Sequence, residues 1–107
     1  MNRILVVFLG IAIQTSAGAL AAGTDPVVLG RQLAELNCST CHNIDKTGDS
    51  PFEAAPPFRT IPQKYDPREL EEAFVEGIVV GHPAMPEWEM TSEQASALSA
   101  FIASLAK

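Results

Sequence analysis

Cys38-Ser39-Thr40-Cys41-His42 is the stretch whose reading decides what this chain can fold around. Two thiols spaced three apart, followed directly by a histidine, form the attachment signature of c-type haem. The spacing puts both thiols on one side of a helical turn, where they can add to the two vinyl groups along one porphyrin edge. His42 is then held under the iron, with an imidazole nitrogen to donate as axial ligand. Other uses of the pair fit less well. A Cys38–Cys41 disulfide would close a loop of little entropic value and leave His42 without a role. A thioredoxin-type pair needs a βαβ setting that these surroundings lack. Zinc would need further good ligands, and His82 is the one other histidine.

Working outward, Asp25 and Pro26 read as the N-cap and first residue of a helix running to Asn37, which delivers Cys38. Gly30, Ala34 and Cys38 fall on one stripe of that helix, a surface another helix can approach closely. The expected visitor is the C-terminal segment. There Thr91 to Gln94 has capping-box form, and Ala95, Leu98, Phe101, Ile102 and Leu105 follow helical spacing. Phe101 is the natural filler over Gly30 and Ala34. Asp66-Pro67 repeats the cap logic for a helix between them, with Leu70, Ala73, Phe74 and Ile78 inward and Glu69, Glu71, Glu72 and Glu76 outward. Gly77 and Gly81 weaken its end. Residues 44–64 read as loop, because Gly48, Pro51, Pro56, Pro57 and Pro62 forbid a long regular element. A loop that long in a small domain needs something to fill it, and a flat haem would.

The first 21 residues carry Arg3 as their single charge, then an apolar run from Ile4 to Ile13, a polar step, and small residues from Ala17 to Ala22. That order is a secretory signal peptide, expected to be cleaved after Ala19-Leu20-Ala21. The apolar run is too short for a stable membrane span. Residues 22–107 are then one domain with 6 basic and 13 acidic side chains, formally −7. Nucleic acid and anionic membrane surfaces are poor partners for such a field. A domain this small also needs a staple beyond its own apolar core, which covalent haem supplies.

A haem held by His42 has a second face, and Met85, Met90 and His82 can reach for it. Met85 is the expected ligand: a soft, neutral thioether suits iron that cycles without exchanging protons, and Pro83 and Pro86 stiffen its loop. His82 would give a low-potential bis-histidine centre, and Met90 reads as core filler before the last helix. His42 Nδ1 needs an acceptor to fix its tautomer. A carbonyl of Pro56 or Pro57 would serve, with Phe58 on the ring edge, and the spacing to Phe58 favours Pro56. Arg59, Lys64, Tyr65 and Trp88 are the polar groups available to the haem propionates.

With these residues in place the chain resembles the class I c-type cytochromes, small monohaem carriers. The resemblance rests on Gly30 eight residues before Cys38, the C-S-T-C-H string, Pro56-x-Phe58, Met85-Pro86 and Leu98-x-x-Phe101-Ile102. It implies an all-α, cytochrome c-like fold of about three main helices, with long loops wrapped round one haem. It also implies His42 and Met85 as axial ligands, and first and last helices crossing at Gly30 and Phe101. Ala34 stands where many members carry an aromatic residue.

The chain shows no acid/base pair or substrate pocket, so the first reading is a periplasmic one-electron carrier rather than an enzyme. Its partners would be redox proteins, with a basic docking surface to match the negative field. A second reading is an obligate electron-transfer subunit of a periplasmic dehydrogenase. A third is a sensor or peroxidase-like haem protein whose distal ligand leaves.

Overall fold

The computed structural model describes residues 10–11, 25–77 and 84–106. Its helices start where the chain offers a cap. Asp25 accepts a hydrogen bond from the Val27 amide at 2.9 Å and Pro26 takes the first helical position, so α1 runs Pro26–Asn37. Asp66 does the same for the Arg68 amide at 2.8 Å, opening α2 over Pro67–Glu76. Thr91 and Gln94 cap each other's backbone at the start of α3, Ser92–Ser104. No strand occurs among the described residues, so the architecture is all-helical with three main helices.

Packing follows from the apolar faces. α3 lies against α1 and α2, and its Ala95, Leu98, Phe101 and Ile102 are buried. Around them gather Ala34, Ile44, Phe58, Phe74 and Met90, with Cys38, Trp88 and Leu105 packed at the edge. Each large side chain removed from water here contributes about 1.5–3 kcal/mol. The α1–α3 crossing is close enough to require a glycine for its size. A Cβ at Gly30 would lie 2.6 Å from Phe101 Cβ and nearer still to the Ala97 carbonyl. Ala34 is completely buried beside it. Arg31 adds cover that the sequence reading did not anticipate, its guanidinium standing 5.9 Å from the centre of the Phe101 ring.

The structure refines two expectations. Within the stretch 44–64, Phe58–Gln63 forms a 3₁₀ helix. Its bonds reach back only three residues, as from Thr60 N to the Pro57 carbonyl at 3.0 Å, so an element this short tolerates Pro62 inside it. In α2, Phe74 is buried and Leu70 and Ala73 are half-buried as expected, but Glu71 is half-buried rather than fully outward. It adjoins Leu70 on the helix, and only Glu69, Glu72 and Glu76 are exposed. Gly77, at φ 89°, closes that helix in a conformation other residues avoid. Ile78 and Gly81 lie outside the described residues, as do residues 1–21 apart from Gly10 and Ile11. No helix among the described residues is long and apolar enough to cross a membrane.

Candidate haem site

Where α1 ends, the chain continues into one more turn. The amides of Cys41 and His42 both donate to the Cys38 carbonyl, at 3.2 and 2.9 Å, which gathers the two thiols and the imidazole on a single turn. Both cysteines are free and half-exposed. Cys38 leans on the apolar core, and burial pushes its thiol up to about 11. A protonated sulfur in that position is a neutral, apolar-facing group, the state that suits a side chain destined for a thioether.

His42 is held from two sides. Its Nδ1 lies 2.7 Å from the Pro56 carbonyl oxygen, to which it donates as the Nδ1–H tautomer. Its ring packs on buried Phe58, with centroids 5.1 Å apart and planes tilted by 51°. With Nδ1 committed, Nε2 keeps the free lone pair. Pro57, the other proline considered, has its carbonyl occupied by the Thr60 amide and hydroxyl, at 3.0 and 2.7 Å. The 3₁₀ helix therefore takes one proline carbonyl and leaves the other for the histidine.

The loop between His42 and Pro56 is built around a residue the sequence reading missed. Asn43 Oδ1 accepts from the Asp45 amide at 2.8 Å, and its Nδ2 donates to the Asp49 carbonyl at 3.2 Å. Its backbone amide donates to Ser50 Oγ at 3.0 Å, and its carbonyl accepts from the Phe58 amide at 2.9 Å. The available signal was local: Asn-x-Asp next to a histidine is an Asx-turn pattern. Arg31 ties α1 to this loop, bonding Glu35 and Asp45 at 3.0 Å each, and the hydrogen bond to Asp45 holds its guanidinium above the usual range.

On the other side, Met85 is half-buried and Met90 is buried at 6 % exposure, its amide donating to the Phe74 carbonyl at 3.0 Å. Met90 is thus committed to the core. His82 and Pro83 lie outside the described residues. Of the four polar groups considered for the propionates, Lys64 and Tyr65 are exposed and Trp88 is half-buried against the core. Arg59 differs, because its Nη1 is buried without a hydrogen-bond partner.

The cytochrome c family profile matches residues 27–106. The chain belongs to the cytochrome c family. No curated protein and no solved structure matches it significantly. The family and the C-x-x-C pair make the cofactor of this cytochrome haem c, bound covalently through Cys38 and Cys41. Its work is haem-based electron transfer with redox partners. The site fits that group on its own terms: two unbridged thiols on one turn, an imidazole with one nitrogen free, and a buried guanidinium nitrogen left without a partner. Among the described residues no three His, Cys, Asp or Glu side chains gather as a metal site. The groove lined by Arg68, Glu71, Glu72, Val75, Glu76 and Ser92 contains none of the residues named for haem.

Proposed function

We propose that this cytochrome is an exported, periplasmic one-electron carrier whose iron is ligated by His42 and Met85. The haem, once attached, supplies a metal that changes oxidation state by one electron. The observation that carries the reading is the His42 Nδ1 to Pro56 carbonyl hydrogen bond of 2.7 Å. It fixes the tautomer, orients the ring, and makes Nε2 the more basic donor. Cys38 and Cys41 would hold the haem covalently by its vinyl edge, so the group would stay in place beside His42 as the iron gains or loses an electron. Met85 offers a sulfur with no proton to lose and is only half-buried, while Met90 is committed to the core. Export rests on the leader pattern of residues 1–21 and on the setting in which c-type haem is attached.

Met85→Ala in the purified haem-containing protein tests the ligand. The ferric form should lose the weak far-red absorption that marks iron–thioether bonding, and the ferrous form should bind carbon monoxide. Met90→Ala should do neither. A wild-type protein that lacks the band and binds carbon monoxide freely would favour the sensor or peroxidase-like reading. Loss of six-coordination in His82→Ala alone would make the centre bis-histidine.

A further inference from the structure

In this cytochrome α1 is apolar on the side that the core does not use. Gly30 meets α3, with buried Ala34 one turn on, and half a turn round from them stand Val28, Gln32 and Leu36, spaced four apart. Val28 is 49 % exposed and Leu36 81 %. Leu29 and Leu33 border this row, half-buried, and neither belongs to the core cluster. A surface helix ordinarily turns charge to water on that side. Here the two charged side chains of α1, Arg31 and Glu35, keep to the other border, bonded to each other and, through Arg31, to Asp45. What remains between is an apolar strip with one amide at its middle, and a contiguous exposed patch of that kind marks a contact site.

The charge around the strip says what comes to it. The chain is formally −6, and −7 over residues 22–107, with exposed carboxylates on α2 and on the distal segment. A basic partner is drawn to those carboxylates, and the α1 strip offers it nothing. For two copies of the chain the reverse holds. Like charge keeps them apart elsewhere, and a face without net charge is where they can close. The row also reads alike from either end: apolar Val28, Gln32 at the midpoint, apolar Leu36. A two-fold axis through Gln32 lays Val28 on Leu36 of the second copy and Leu36 on its Val28. The two Gln32 amides, each with a donor and an acceptor, then satisfy one another at the axis. Rows spaced four apart are the ridges that interdigitate in the commonest helix pairing, crossing at about −50°.

We propose that the outer face of α1 is a self-association surface on which two copies meet antiparallel across Gln32. Leu36 lies two residues before Cys38, so a haem-bearing turn stands at each end of the contact. One face of a 12-residue helix is small, below the roughly 1,200 Å² typical of stable interfaces, so the pair is weak and reversible. The inference depends neither on the distal ligand nor on export.

Backbone NMR and sedimentation velocity of the purified haem-containing protein, taken from micromolar to millimolar concentration, test this. Amide shifts should grow with concentration along Val28, Gln32 and Leu36, and the sedimentation coefficient should rise toward that of a dimer. Added salt should tighten the pair by screening acid against acid, the opposite of its effect on encounter with a basic partner. Leu36→Glu, at an exposed position, should remain monomeric throughout. Disulfide trapping checks the geometry: Gln32→Cys should link to itself, and Val28→Cys should link to Leu36→Cys faster than either links to itself. Gln63→Cys, exposed at the end of the 3₁₀ helix, sets the collisional rate. A wild type that stays monomeric, concentration-dependent shifts away from α1, or trapping no faster than at Gln63→Cys overturns the proposal. So do α1 shifts that arise only with phosphatidylcholine vesicles, which would make the strip a lipid contact.

Discussion

The two flanks of the site are built differently. From Cys38 to Phe58 the chain is tied to itself at short intervals: His42 to Pro56, Asn43 to Asp45, Asp49, Ser50 and Phe58, and the Phe52 amide to the Cys41 carbonyl at 3.1 Å. From Ala84 to Met90 the described backbone makes one such bond outside the helices, from Met90 to Phe74. The proximal flank thus holds its imidazole by protein contacts alone. The distal flank holds Met85 through chain stiffness at Pro86 and through its anchor at Met90. Among the described residues, hydrogen bonds are concentrated around His42, and fewer of them hold the segment that bears Met85.

The largest expected break in this contrast is at the helix crossing that carries the proximal turn. Gly30→Ala forces a methyl group against the Ala97 carbonyl and Phe101 Cβ, so α1 and α3 must separate. A loss of roughly 3 kcal/mol or more is expected in denaturant unfolding of the haem-containing protein, at the upper end of overpacking costs. Next, Met90→Ala should cost about 2–3 kcal/mol by leaving a cavity beneath Phe74 and the start of α3. Its far-red band should persist, whereas Met85→Ala should lose the band at smaller cost in stability, which separates anchor from ligand on the distal flank. Asn43→Ala removes both side-chain hydrogen bonds of the proximal loop, at about 1 kcal/mol each net of the exchange with water. Faster backbone hydrogen exchange should then be confined to residues 43–50, with the His42 environment unchanged by NMR. The smallest effect concerns encounter. Glu87 and Glu89 are exposed on the distal segment, and Glu89 lies against the end of α2, so the acidic surface runs on from Glu72 and Glu76. Electron transfer to a basic partner should slow as salt is added, and Glu87→Gln with Glu89→Gln should flatten that dependence modestly.

Much of this was legible in the chain because it rests on local chemistry. Proline after aspartate marks the starts of α1 and α2, and a capping box marks α3; each works within four residues and needs no tertiary information. Gly30 and Phe101 could be paired because helical periodicity places small and large side chains on facing stripes. Of the four bonds of Asn43 only the Asx turn to Asp45 had a local signal; the others close a loop whose path depends on where Pro56 is brought. The 3₁₀ helix was hidden for a related reason: its proline content reads as disruption until the shorter bonding pattern is seen.

The sequence by itself determined the attachment chemistry and the helix starts, because C-x-x-C-H and the caps are covalent or nearest-neighbour facts. The spacing to Phe58 favoured Pro56, and tertiary structure decided between the two prolines. The competing acceptor at Pro57 is consumed by Thr60, a choice made only once the chain has turned into its 3₁₀ helix. It also decided which of the candidate polar groups is unsatisfied. Arg59 and Lys64 carry the same charge in the same segment, and only burial leaves a nitrogen of one without a partner while the other stays in water. Charge is written in the residue, but the cost of carrying it depends on the solvent each fold leaves around it.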